Sequence, residues 1–236
     1  MFYIDWTYII LVMPAIIFSM WASMRVNTTF EKYSKQNSAR RMTGAEAARR
    51  VLQANGVHNV RIEKISGNLT DHYDPKANVI RLSEAVHDSV STAAIGVAAH
   101  EAGHAVQHAQ NYAPVKIRTA IVPITNIGSK LAIPLVIVGI LLSYVSAQYA
   151  SIAYAGVAAF GLCVVFQLVT LPTEFNASRR ALVAIEQCGI LSRDELDGSR
   201  KVLTAAALTY VAALAVTLMQ FLRLFLMVAG SSNRRK

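Results

Sequence analysis

This sequence predicts an α-helical membrane protein of about four transmembrane helices with a small mixed α/β polar part. Three observations predict it. The 236 residues are 54% hydrophobic and only 16% charged, whereas soluble domains carry charge on about a quarter of their positions. Three uncharged runs are long enough to cross a bilayer, and one of them is long enough to cross twice. Between the first and second runs, apolar residues instead alternate or recur at helical spacing. The apolar content excludes intrinsic disorder, and two cysteines in a chain of this length exclude a disulfide scaffold.

A spanning helix needs about 20 mostly apolar residues. Trp6 to Met24 is uncharged, and Trp6, Tyr8 and Trp21 are placed as interfacial anchors. No basic segment precedes it, so a retained anchor fits better than a cleaved signal peptide. Leu131 to Thr173 is also uncharged. As one helix it would extend roughly 64 Å, so it must fold back, with Ser143 to Ser151 as the turn. Val202 to Leu222 is the last such run. The chain thus divides into an N-terminal anchor (1–24), a polar part (25–130), a transmembrane hairpin (131–173), a second polar segment (174–201) and a C-terminal transmembrane helix with a basic tail (202–236).

Arg25, Lys32, Lys35, Arg40 and Arg41 follow the first span, and the hairpin tip carries no charge. Both facts place 25–130 and 174–201 in the cytoplasm. Arg234, Arg235 and Lys236 disagree, because a complete fourth span would export them; whether that segment fully crosses stays open. Residues 25–50 hold seven basic and two acidic groups. Beside a membrane span, anionic headgroups are the expected partner, and nucleic acid is not. Cys163 falls in a span and Cys188 in the cytoplasmic segment, so no disulfide is expected between them. Lys130, Gln167, Gln220 and Arg223 lie in or beside the spans. They motivate a transporter reading, against which stands the snorkelling common at span ends.

Within the polar part, Thr43 and Glu46 have capping-box spacing before a helix that Gly56 closes. Residues 57–65 and 78–82 read as short strands separated by a turn-rich stretch, and Ser89 or Ser91 can cap a long helix reaching about Gln110. That helix carries His100-Glu101-Ala102-Gly103-His104. Two imidazoles four residues apart stand on one helix face and can share a zinc ion, with Glu101 placed to take a proton from a bound water. A hydrolytic zinc site needs a third protein ligand. His108 continues the spacing but lies roughly 12 Å along the axis from His100. Glu174 opens the segment after the hairpin, and two crossings return it to the side of the membrane that holds His104; an ordinary acid near a helix start is the competing reading. Asp197, in Leu196-Asp197-Gly198, is a rival ligand of the kind used by intramembrane site-2 proteases. However, Ser192 and Glu195 have capping-box spacing, which makes Asp197 a first-turn helix residue.

The strings TDHYDPKANVIRLSEAVHDS, IGVAAHEAGHAVQHA, LPTEFNASRRAL and AAALTYVAAL, spread along nearly the whole chain, resemble the YugP-like neutral zinc metallopeptidases of bacterial membranes. The layout is similar to that of membrane gluzincins. The resemblance implies a zincin-like polar part in a multi-pass protein of the bacterial cytoplasmic membrane. It implies one zinc ion per chain on His100, His104 and Glu174, with Glu101 as general base. The substrate would be a protein or peptide, membrane-associated given where the site lies. The gluzincin pattern ends in aspartate where this chain has Ser178. By residue type His72, Tyr73, His87, Tyr112, Arg179 and Arg180 can serve the transition state or orient ligands. The strand 78–82 resembles the edge strand on which zincins bind extended peptides. A non-catalytic, zinc-stabilised membrane scaffold is the reading from another class. The sequence sets no oligomeric state.

Overall fold

The computed structural model describes residues 5–67 and 70–233, so Asn68 and Leu69 of the predicted turn and the basic tail 234–236 lie outside the described residues. A π-helical stretch Tyr8–Val12 leads into α1 (Met13–Ser34). There follow α2 (Gly44–Ala54), β1 (Arg61–Ile65), β2 (His72–Asp74), β3 (Val79–Ser83) and the short α3 (Glu84–His87). The remainder is α4 (Thr92–Ala109), α5 (Ala113–Leu142), α6 (Ala150–Gln187) and α7 (Arg193–Asn233), with a 3-10 turn Ala147–Tyr149 before α6. Among the described residues, four helical segments are long and apolar enough to cross a membrane.

The described residues form two units, one within 22–116 and 172–209, the other of 5–21, 117–171 and 210–233. In the second, many large apolar side chains are exposed, among them Ile10, Ile124, Ile127 and Leu141. A surface of that kind is suited to lipid, not water. Small residues let its helices approach closely: a Cβ on Gly139 would overlap the Ala153 backbone nitrogen.

The first unit contains the sheet, ordered β1-β3-β2, with β1 parallel and β2 antiparallel to β3. This corrects the expectation that the strand at 78–82 is an edge. Val79, Ile80 and Leu82 are fully buried, which suits a central strand covered on both sides. The short, polar β2 (His-Tyr-Asp) is one edge and the charged β1 (Arg-Ile-Glu-Lys-Ile) the other. Ile80, Leu82 and Val86 pack with Ile95, Ala98, Ala102 and Val106 of α4 and with Ala181 and Ile185 of α6 in one core.

The predicted capping box opens α2. Thr43 donates its N–H to Glu46 Oε2 at 2.8 Å, and Glu46 donates its N–H to Thr43 Oγ1 at 3.2 Å. The Thr43 backbone and hydroxyl donors hold the Glu46 carboxyl below its usual value. A depressed carboxylate stabilises above its unfolded pKa, and that contribution is lost as pH falls through the folded value. Glu46→Ala should therefore cost about 0.5 kcal/mol at pH 7, a small figure because the group is exposed. The gap from wild type in thermal melts should close below about pH 4.

Two helices run further than the apolar runs indicated. α5 begins at Ala113, well before residue 131, and includes Lys116, Arg118 and Lys130. α6 continues unbroken through Glu174 to Gln187, although Pro172 lies inside it. Charge ends an apolar run without ending a helix.

Candidate metal centre

Ser91 caps α4, its Oγ accepting the Ala94 N–H at 3.2 Å. The helix is rich in alanine and glycine, so its neighbours come close: a Cβ on Gly103 would lie 2.7 Å from the Ala177 carbonyl oxygen of α6. Gly103 stands next to His104 and Ala177 three residues after Glu174. The contact that only glycine permits thus brings the helix faces carrying His104 and Glu174 together.

There the structure gathers His100, His104 and Glu174, the one such group among the described residues. The Nε2 atoms of His100 and His104 are 3.1 Å apart. Glu174 Oε2 lies 3.3 Å from the first and 3.2 Å from the second. A tetrahedral zinc with bonds of about 2.0–2.1 Å keeps its ligand atoms about 3.3–3.4 Å apart. The three donors therefore fit zinc by type and by spacing. Glu174 is almost fully buried, where a lone carboxylate would be costly without cationic or donor partners.

The imidazoles are held from behind. Gln107, fully buried, donates from Nε2 to the Thr173 carbonyl at 2.8 Å and to Asn176 Oδ1 at 2.9 Å. Its Oε1 is then the acceptor for His104 Nδ1–H at 3.0 Å, which leaves the Nε2 lone pair available to a metal. Ser178 Oγ stands 3.0 Å from His100 Nδ1. Burial alone would lower the His104 pKa, but the Glu174 hydrogen bond, the Glu101 and Glu174 charges and Gln107 turn the net direction upward. Gln107→Leu should weaken zinc binding by about ten- to hundredfold, read in a chelator competition, because His104 loses its orienting acceptor.

Glu101 is buried and its Oε2 accepts the Tyr73 N–H at 2.9 Å, tying the carboxylate to β2. Nearby Asp71 accepts the Ser83 N–H at 2.7 Å and the Ser83 hydroxyl. Burial pushes the Asp71 carboxyl up against those hydrogen bonds.

The other predicted residues lie as follows. The Tyr73 hydroxyl donates to Asn78, and its ring meets that of His108 at 5.4 Å; His108 is not among the three grouped donors. His72 is exposed, with Nδ1 at the Thr70 carbonyl. His87 pairs with Asp88. Arg180 donates to Asn176 Oδ1 and Gln110 Oε1 and lies over the Tyr112 ring. Arg179 is exposed. Asp197, half-exposed near the start of α7, pairs with Lys201 and is not in the group. The Ser192–Glu195 cap is formed there, with Ser192 N–H donating to Glu195 at 2.8 Å. Sequence reasoning assigned no role to Gln107 or Asn176. Gln107 sits three residues after His104, on the same helix face, and that spacing was the available signal.

The sequence model of the family described as "Putative neutral zinc metallopeptidase" matches residues 8–229. The relative named "Putative membrane protease YugP" of Bacillus subtilis (strain 168) is 45% identical over 221 residues, which cover 94% of this chain and 96% of the relative. No solved structure matches.

Proposed function

The chain belongs to this zinc metallopeptidase family, and on that premise we propose that it is a membrane-anchored zinc endopeptidase. It would cleave peptide bonds at the cytoplasmic face of the bacterial cytoplasmic membrane. One observation carries the reading: three donor atoms spaced for zinc, with Glu101 on the same helix as two of them.

His100 Nε2, His104 Nε2 and Glu174 Oε2 would hold one ion per chain. Zinc, when bound, lowers the pKa of water and polarises a peptide carbonyl. Glu101 Oε2 is engaged by the Tyr73 N–H, so Oε1 takes the proton from the attacking water and delivers it to the leaving amine nitrogen. Gln107 and Ser178 keep the imidazole rings turned so that each Nε2 faces Glu174. Because the Tyr73 N–H is spent on Glu101, the edge of β2 away from β3 lies beside the base. An extended substrate segment would bind there through main-chain hydrogen bonds, with little demand on sequence. The basic residues that follow the first apolar run support a cytoplasmic site. A membrane-proximal site favours membrane-associated proteins as substrates.

The test is metal analysis of the purified full chain together with degradation of casein. One zinc per chain is expected, with degradation abolished by a chelator and restored by zinc. Zinc-loaded protein that folds but cleaves neither casein nor membrane-protein substrates would overturn the reading in favour of a zinc-stabilised scaffold.

A further inference from the structure

Away from the metal group, α1 and α7 line a groove of about 500 Å³. Its walls carry Arg25, Lys32, Arg200 and Lys201, and no carboxylate lines it. Of the acids close by, Glu31 pairs with Lys35 outside the groove, and Asp197 pairs with Lys201 of the wall. The Tyr33 ring, also in the wall, has the Lys32 ammonium 5.5 Å and the Lys201 ammonium 5.9 Å from its centre, which holds both in place. Four exposed cations against the one carboxylate of Asp197 leave this concave surface net positive, and a bound anion would lower that repulsion. Thr29 and Thr204 add hydroxyl donors, and Leu208 and Ala205 give the groove an apolar side.

Its position along the chain identifies the anion. Arg25 is the first charge after the uncharged run 6–24, and Lys201 is the last charge before the uncharged run 202–222. The groove therefore lies where both helices pass from polar to apolar, the level of lipid headgroups. A free anion would gain nothing from the apolar side, whereas a lipid places its first acyl carbons there. We propose that this groove binds the phosphate headgroup of an anionic phospholipid. The site stands apart from the zinc ligands and does not depend on the peptidase reading.

The test uses the full chain in neutral detergent, with phosphatidylglycerol and phosphatidylcholine as probes. Native mass spectrometry should show phosphatidylglycerol retained in preference to phosphatidylcholine, and thermal melts should show higher stability in the anionic lipid. The triple variant Arg25→Gln, Lys32→Gln, Arg200→Gln should bind phosphatidylglycerol about a hundredfold more weakly at low salt, at roughly a fivefold loss for each cation removed. It should keep its zinc. The triple variant Arg49→Gln, Arg50→Gln, Lys76→Gln removes the same charge from exposed positions outside the groove and should retain the lipid. Equal losses in the two variants would overturn the proposal. So would wild-type protein that melts alike in both lipids, a result that needs no variant to fold. Displacement of the lipid by millimolar inorganic phosphate would also overturn it, marking a site for soluble anions.

Discussion

Glu101→Gln is expected to keep zinc at wild-type occupancy and to lose about 10²- to 10⁴-fold in the rate of peptide hydrolysis. The carboxylate is not one of the three converging donors, so its charge can be removed without removing a ligand. The amide is nearly isosteric, and its oxygen can still accept the Tyr73 N–H that now meets Glu101 Oε2. What it cannot do is take a proton at the other position. Zinc content and melting temperature should therefore match wild type while casein degradation falls. Unchanged degradation would remove Glu101 from the proton transfer. Loss of zinc would mean that the carboxylate contributes to metal binding.

The parts of this centre differ in how far they could be read from sequence. His100, Glu101 and His104 were legible because helical geometry is local: a spacing of four puts two side chains on one face wherever the helix goes. Glu174 needed a second inference, that two crossings return the chain to the same side. The structure then places its carboxylate 3.2 and 3.3 Å from the two imidazoles. Gln107 was within reach by spacing, but its grip on Thr173 and Asn176 depends on how closely α6 approaches α4, and pairwise helix packing leaves no local pattern. The same limit explains the strand at 78–82. Its apolar residues mark a buried strand, yet strand order in a sheet is set by long-range pairing, so the central place of β3 and the edge place of β2 were not written locally. Helix ends were blurred for another reason. Lys130 bounds the apolar run, with Lys116 and Arg118 further upstream, but all three are good helix formers, so α5 starts well ahead of residue 131.

Glu174→Gln is expected to weaken zinc binding by more than about a hundredfold, the upper range for losing an outer hydrogen-bond partner, because here a ligand itself changes. The substitution keeps the volume of a nearly fully buried side chain, so the packing of α6 against α4 should survive. Its charge does not. The neutral amide gives up the attraction of a carboxylate for a dication, and its NH₂ group can donate to an imidazole Nε2 and so block a second ligand atom. Metal analysis after dialysis against a weak chelator should find the variant largely free of zinc and, for that reason, inactive. Asp197→Asn makes the matching control. Asp197 is half-exposed and paired with Lys201, so its neutral form should cost under about 1 kcal/mol of stability and no zinc. Full zinc occupancy in Glu174→Gln would leave His100 and His104 without the third donor that the structure provides. Loss of zinc in Asp197→Asn instead would transfer that role to the start of α7.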